Sequence, residues 1–85
     1  MVVLEKLRGE TEYELVKRRL NARPKGTPMS LEEAKEIFSN TVIFIHQNRD
    51  TGKYGWSAIM GEDDGFNTPR SAVNDALKYL ESGGY

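Results

Sequence analysis

Two neighbouring stretches with a two-residue period constrain the fold of this chain more than any other feature. The first, "TVIFIHQN", covers residues 41–48, and the second, "KYGWSAIM", covers residues 53–60. Both are rich in β-branched and aromatic residues, which favour extended backbone, and neither contains proline. The residues between them, "RDTG", end in a glycine that can close a hairpin. We therefore predict an antiparallel β-hairpin with strands over about 41–48 and 53–60.

The length of the loop decides which side chains share a face of this hairpin. A two-residue loop of Thr51 and Gly52 would tend to force a positive φ on a β-branched residue, whereas a three-residue loop over 50–52 requires it only at Gly52. The three-residue loop predicts that His46 pairs with Trp56. One face then consists of Val42, Phe44, His46, Tyr54, Trp56, Ala58 and Met60. The other consists of Ile43, Ile45, Gln47, Gly55, Ser57 and Ile59.

The aromatic face has two interpretations, because both faces of the predicted hairpin are apolar. It can be core, which is favoured because a chain of 85 residues has few large side chains to bury. It can instead stay partly open and bind a partner. In both cases Tyr54 and His46 lie toward the turn, where we expect partial exposure, while Trp56 lies nearer the middle. On the opposite face, Gly55 and Ser57 leave room for a helix to approach.

Two helices are predicted before the hairpin, each from a capping box in which a hydroxyl and a carboxylate satisfy the first free amides. The boxes are Thr11 with Glu14, opening a helix over about 12–22, and Ser30 with Glu33, opening a helix over about 31–39. Each helix has apolar residues at a helical spacing, so each has one face to bury. Asn40 is the predicted exit of the second helix.

A third helix is predicted at the carboxyl end, over about 69–82. Thr68 is its predicted cap, and Pro69 suits the first helical position because its missing N–H would have no partner there. Residues 2–7 are compatible with a third strand or with a short helix. The order of elements predicts one small α+β domain that covers residues 1–85.

Composition excludes several functional classes. The chain has no cysteine, so thiol chemistry and cysteine–zinc sites are excluded, and its single histidine makes other zinc sites unexpected. No phosphate-binding loop, dinucleotide motif or nucleophile motif is present, so we predict a chain that is not an enzyme and needs no cofactor. The longest apolar run is only residues 42–45, so we expect no membrane contact and a cytoplasmic location.

Charge is distributed unevenly, although the formal net charge is only −1. A cationic cluster without an intervening acidic residue consists of Lys17, Arg18, Arg19, Arg23 and Lys25. Glu62, Asp63 and Asp64 form its acidic counterpart, which lacks the ligand spacing of a calcium loop and is typical of a solvated turn. The cationic cluster is either a solvated surface or a contact for an acidic partner or a nucleic acid.

The predicted function is a small non-enzymatic binding or regulatory module that acts through a protein partner, either a different protein or a second copy of the chain. The alternative is a nucleic-acid-binding protein that uses the cationic cluster for phosphates and the aromatic face for bases. The candidate binding residues are Tyr54, Trp56, His46, Lys17, Arg18, Arg19, Arg23 and Lys25. Nucleic-acid binding is favoured if the cationic cluster and the aromatic face lie on one surface of the molecule.

Overall fold

Three helices and three strands make up the fold in a computed structural model that describes residues 5–24 and 26–82. The helices are α1 (Glu12–Ala22), α2 (Leu31–Ile37) and α3 (Pro69–Glu81), and the strands are β1 (Phe44–Gln47), β2 (Tyr54–Ser57) and β3 (Glu62–Phe66). The strands form one antiparallel sheet in the order β1-β2-β3. The α+β class and the order of the predicted helices and hairpin strands are as predicted. Each of these elements lies within its predicted range, but the two hairpin strands are shorter than the predicted 41–48 and 53–60.

Helices α1 and α3 begin at their predicted caps. The Thr11 hydroxyl accepts a hydrogen bond from the Glu14 N–H at 3.1 Å, and the Glu14 carboxylate accepts one from the Thr11 N–H at 3.1 Å. At α3 the Thr68 hydroxyl accepts from the Ser71 N–H, also at 3.1 Å. No helix within residues 5–24 and 26–82 is both long and apolar enough to cross a membrane.

Helix α2 differs from its prediction at both ends. Ser30 caps it by accepting from the Glu33 N–H at 3.1 Å, but the Glu33 carboxylate binds the Arg23 guanidinium instead of completing a capping box. The helix ends at Ile37, two residues before the predicted end. The C-cap is Phe38, so the exit predicted at Asn40 lies two residues too late. Asn40 has a φ of 59°, a left-handed conformation that asparagine tolerates better than most residues.

The loop between β1 and β2 is one residue longer than predicted. The Asn48 N–H donates to the Lys53 carbonyl at 2.8 Å, which leaves four residues between them. The Asn48 side-chain oxygen holds this loop by accepting from the N–H groups of Asp50, at 2.8 Å, and Thr51, at 3.2 Å. Gly52 has a φ of 74°, so the predicted left-handed glycine is confirmed.

This additional loop residue overturns the predicted faces. Because side chains alternate along a strand, a shift of one residue exchanges the face that one strand presents to the other. Ile45, rather than His46, pairs with Trp56, and Phe44 pairs with Ser57. The prediction that Trp56 shares a face with Phe44 is therefore wrong: Trp56 lies with the isoleucines, and Phe44 lies on the opposite side of the sheet.

The third strand comes from the acidic segment, which the sequence predicted to be a solvated turn. Strand β3 pairs with β2, so that Glu62 lies opposite Ser57. The Ala58 N–H donates to the Gly61 carbonyl at 2.7 Å and closes a hairpin with a two-residue tip. The predicted third strand over 2–7 is not observed at residues 5–7, which form no strand, and its remaining residues lie outside the described ranges.

The core lies between the helices and one face of the sheet. Helix α3 packs against β2 and β3, and α2 packs against β1. The core cluster consists of Val16, Met29, Ala34, Ile37, Phe38, Ile43, Ile45, Trp56, Val73, Ala76 and Leu80. Phe44, on the other face, is 69% exposed. The molecule therefore has two layers, and the helices described cover one face of the sheet only.

Candidate binding surface

Arg19, predicted as a surface cation, is a buried link between two helices. Its side chain extends from α1, and the residue is only 2% exposed. Its Nη1 donates to the carbonyl oxygens of Ile37, at 2.9 Å, and Ser39, at 2.8 Å. The Ile37 carbonyl belongs to the last residue of α2, and the Ser39 carbonyl lies in the turn that follows. Carbonyl groups at a helix end lack helical partners, so Arg19 caps α2 from a neighbouring helix. Desolvation of the guanidinium lowers the pKa of Arg19 from its ordinary value.

Arg23 is also buried and occupied by an internal partner. Its guanidinium bonds both carboxylate oxygens of Glu33, at 3.0 and 3.1 Å, and the Thr27 carbonyl at 3.0 Å. The hydrogen bond from Arg23 is the main reason that the pKa of Glu33 lies below its ordinary value. This pair ties the end of α1 to the start of α2.

Arg18 fastens the segment before α1 to the helix. Its Nε and Nη2 bond the two Glu10 carboxylate oxygens at 2.9 and 3.0 Å, and Nη2 also donates to the Glu5 carbonyl. The hydrogen bond to Arg18 lowers the pKa of Glu10 to about 2, helped by a bond from the Leu7 N–H, and it raises the pKa of Arg18.

The cationic cluster is therefore not a continuous basic surface. Of its members that the structure describes, Arg18, Arg19 and Arg23 have internal partners, and Lys17 is exposed with its Nζ 5.8 Å from the centre of the Tyr13 ring. Lys25 lies outside the described residues. Chain order alone could not reveal these partners, because most of them lie 8 to 20 residues away from the arginine that binds them.

Trp56 is a core residue, as the favoured interpretation expected, and is only 4% exposed. Its indole N–H donates to an Asp75 carboxylate oxygen at 2.9 Å, and its ring centre lies 4.9 Å from that of Tyr79. Both partners belong to α3, so Trp56 attaches the middle strand to that helix. It is not available for stacking on a ligand.

The two remaining candidates, Tyr54 and His46, lie on opposite faces of the sheet. Tyr54 is half-buried on the helical side of β2, whereas His46 is half-buried on the uncovered side of β1. A side-chain Cβ at Gly55 would lie 2.8 Å from His46 Cε1 and 2.7 Å from the Asp63 carbonyl oxygen. Gly55 thus makes room for His46 and β3, and the prediction that it makes room for a helix is wrong.

The largest exposed apolar side chains gather at one end of the sheet. Phe44, Ile59 and Met60, called the apolar patch below, are 69%, 86% and 78% exposed. Phe44 lies opposite Ser57, and the tip of Ile59 and Met60 begins two residues after Ser57. The prediction that Phe44 and Met60 belong to the core is wrong.

The sequence carries no usual signal for this tip. Two-residue hairpin loops favour glycine or asparagine, because the favoured turns need a positive φ. Here isoleucine and methionine occupy both positions, and among the described residues Asn40 is the one non-glycine residue with a positive φ. The tip therefore adopts a turn of a different type, and it presents two large apolar side chains where polar or small residues are usual.

The acidic strand, defined as Glu62, Asp63 and Asp64, borders the apolar patch. All three residues are exposed, and with His46 they line a shallow cavity of about 230 Å³. Within residues 5–24 and 26–82 the ion pairs join Arg18 to Glu10 and Arg23 to Glu33, so the acidic strand forms no ion pair there. Within the same ranges no group of three or more histidine or carboxylate side chains could hold a metal ion.

A second cavity, of about 540 Å³, lies between the end of α1 and the start of α3. Arg23 and Arg70 line it, but Arg23 is occupied by Glu33, and Arg70 donates from Nε to Asn74 at 3.2 Å. Because both arginines of this cavity already have internal partners, the apolar patch and the acidic strand are the better candidate surface.

Comparison with protein-family models, with curated proteins and with solved structures finds no match to this chain. The candidate surface consists of the apolar patch at one end of the sheet and of bordering carboxylates that form no ion pair among the residues described.

Proposed function

We propose that this chain is a small non-enzymatic binding module that acts through a protein partner, and that the apolar patch is its contact surface. The observation that supports this most is that Phe44, on the sheet face that the described helices leave uncovered, and the exposed tip of Ile59 and Met60 lie at the same end of the sheet. Large contiguous patches of exposed apolar side chains mark interaction sites on soluble proteins, whereas single exposed apolar residues are ordinary.

The fold itself gives no reason for these three residues to be apolar. The core is built from Ile43, Ile45 and Trp56 on the other face of the sheet, and it is closed by the helices without the patch. Each apolar side chain buried by a partner would contribute roughly 1.5–3 kcal/mol if fully covered. An aromatic and two flexible aliphatic side chains can supply the anchors that dominate protein interfaces.

The same geometry favours a protein over a nucleic acid as the partner. Phosphate groups need exposed Lys and Arg, yet Arg19 and Arg23 are buried and hold other parts of the chain. The acidic strand, which borders the apolar patch, would repel a phosphate backbone. The predicted stacking residue Trp56 is buried as well.

The test compares the proteins that bind to the wild-type chain with those that bind to a variant whose tip has lost its apolar side chains. The variant combines Ile59→Ser with Met60→Ser, and the matched control is Leu7→Ser, which removes an exposed apolar side chain far along the chain from the tip. Immobilised wild-type protein and control should retain the same set of proteins from a lysate of the native host, and the tip variant should lose them. Circular dichroism of all three proteins checks that each is folded.

Two outcomes would contradict the proposal. Retention of the same proteins by wild type and tip variant would show that the apolar patch is not the contact surface. Retention that disappears after nuclease treatment, with purified oligonucleotide bound directly, would favour the nucleic-acid alternative.

A further inference from the structure

We infer that the partner presents a positively charged amphipathic segment, whose apolar side chains contact the apolar patch and whose Lys or Arg side chains contact the acidic strand. This inference rests on the proposed function and specifies the chemistry of the partner. Its basis is that exposed Phe44 shares a face of the sheet with acidic residues that form no ion pair within the described part of the chain, and that the apolar tip lies at the same end.

The pairing of the strands places these groups in one row. Phe44 lies opposite Ser57, and Ser57 lies opposite Glu62, so the three side chains point to the same face across three adjacent strands. Adjacent strands are about 4.8 Å apart, so Phe44 and Glu62 are separated by roughly 10 Å. Asp64, two residues beyond Glu62, lies on this face as well. Two turns of a helix, or about three residues of extended chain, span that distance.

The carboxylates of this row lack neutralising partners within the described residues. The arginines that form ion pairs bind Glu10 and Glu33, and the Lys53 ammonium donates to Asn67. A cationic segment would gain attraction on this face, and an acidic one would be repelled.

Acidic residues are unusual in this strand. As an edge of the sheet, β3 has reason to carry charge, which discourages pairing with other chains, but that reason does not select a negative sign. Asp and Glu are depleted in strands, and neighbouring like charges repel one another. Glu62 and Asp64 nevertheless occupy strand positions on the face that carries Phe44, while α3 covers the other face. Recognition of positive charge accounts for both their type and their position.

The experiment selects binders from a library of random peptides displayed on phage, with the intact protein as bait at about 150 mM salt, where surface charges are screened beyond about 8 Å. Selected peptides should combine large apolar residues with an excess of Lys and Arg. Fluorescence anisotropy of a labelled, selected peptide then measures its affinity for wild type and variants.

Charge variants identify the contact. Glu62→Gln with Asp64→Asn should weaken the selected peptide about fivefold or more and reduce the dependence of its affinity on salt, because two charge contacts are lost. The matched control, Glu32→Gln with Glu36→Gln, makes the same charge change on α2 and should leave the affinity within about twofold. The tip variant should abolish binding of the peptide.

The outcomes separate the inference from the proposed function. Selection of neutral or acidic peptides that the tip variant no longer binds would overturn the inference and leave the proposed function in place. Selection of no peptide, or of peptides that bind the tip variant equally well, would overturn both. Concentration-dependent dimerisation that the tip variant abolishes would assign the apolar patch to a second copy of the chain and overturn the inference.

Discussion

At the residue scale, Arg19 shows that the role of a charged side chain depends on where the fold places it. In the sequence it is one of five neighbouring cations, and nothing around it indicates burial. In the structure its guanidinium caps the C-terminal end of α2 by donating hydrogen bonds to the carbonyls of Ile37 and Ser39. The sequence pattern predicts the helix that carries Arg19. It does not predict that the end of α2 packs next to Arg19, because that contact depends on the tertiary structure.

Replacement of Arg19 by methionine should destabilise the protein by about 3 kcal/mol, because buried carbonyls lose a charged donor. Lys17→Met is the matched control, since it removes a charge from an exposed position of the same helix and should change the free energy of unfolding by about 0.5 kcal/mol at most. Urea denaturation followed by circular dichroism measures both values. Equal midpoints for the two variants would contradict the capping role.

At the element scale, prediction succeeded where the signal was local. The caps of α1 and α3 were predicted correctly because Thr11 and Thr68 satisfy amides only three residues away. The hairpin was also predicted, but its faces were not. The Asn48 side chain stabilises a loop that is one residue longer than predicted by accepting hydrogen bonds from two backbone amides. Because side chains alternate between the two faces of a strand, that single extra residue exchanges the faces.

Strand β3 and the candidate surface were not predicted, for a related reason. Aspartate and glutamate disfavour strands, so Glu62 and its acidic neighbours indicated a solvated turn. Pairing with β2 and cover from α3 outweigh that preference. The apolar patch then follows from two facts that the sequence did not reveal, namely the faces of the first hairpin and the existence of the second.

The two sides of the sheet should respond differently to loss of an aromatic ring. Trp56→Ala should cost about 3 kcal/mol or more, because a buried ring and its bond to Asp75 are lost. Phe44→Ala, on the neighbouring strand but the uncovered face, should change stability by about 0.5 kcal/mol at most. Thermal and urea denaturation give both values.

Intrinsic fluorescence provides an independent check, because Trp56 is the only tryptophan. The native protein should show blue-shifted emission that acrylamide quenches poorly. A red emission maximum, or equal losses of stability for both variants, would contradict the observed faces.

At the scale of the whole molecule, ion pairs connect segments of the chain in addition to the contacts of the small core. Arg18 holds the chain before α1 through Glu10, and Arg23 joins the end of α1 to α2 through Glu33. In both pairs the hydrogen bond from arginine lowers the pKa of the carboxyl group. A carboxyl group whose pKa is lower in the folded state stabilises folding only while it is ionised.

Stability should therefore fall with acidification between the ordinary pKa of Glu10, 4.5, and its folded value of about 2. Within this window the unfolded chain binds more protons than the folded one, so the free energy of unfolding rises with pH. Glu10→Gln should flatten the dependence, Arg18→Met should flatten it similarly, and the double variant should add little further. Urea midpoints measured from pH 2 to 6 test this, and a slope unchanged by either substitution would contradict it.

The uncovered face also affects how this chain can change over evolutionary time. Core packing restricts which residues can replace Ile45 and Trp56, whereas Phe44 and Ile59 are exposed and do not belong to the core cluster. Core-facing and outward-facing positions alternate along the same strands. Outward-facing residues can therefore be substituted one at a time during evolution while each intermediate sequence still folds. A change of partner would then need only a few substitutions at the rim of the sheet, each open to selection on binding alone.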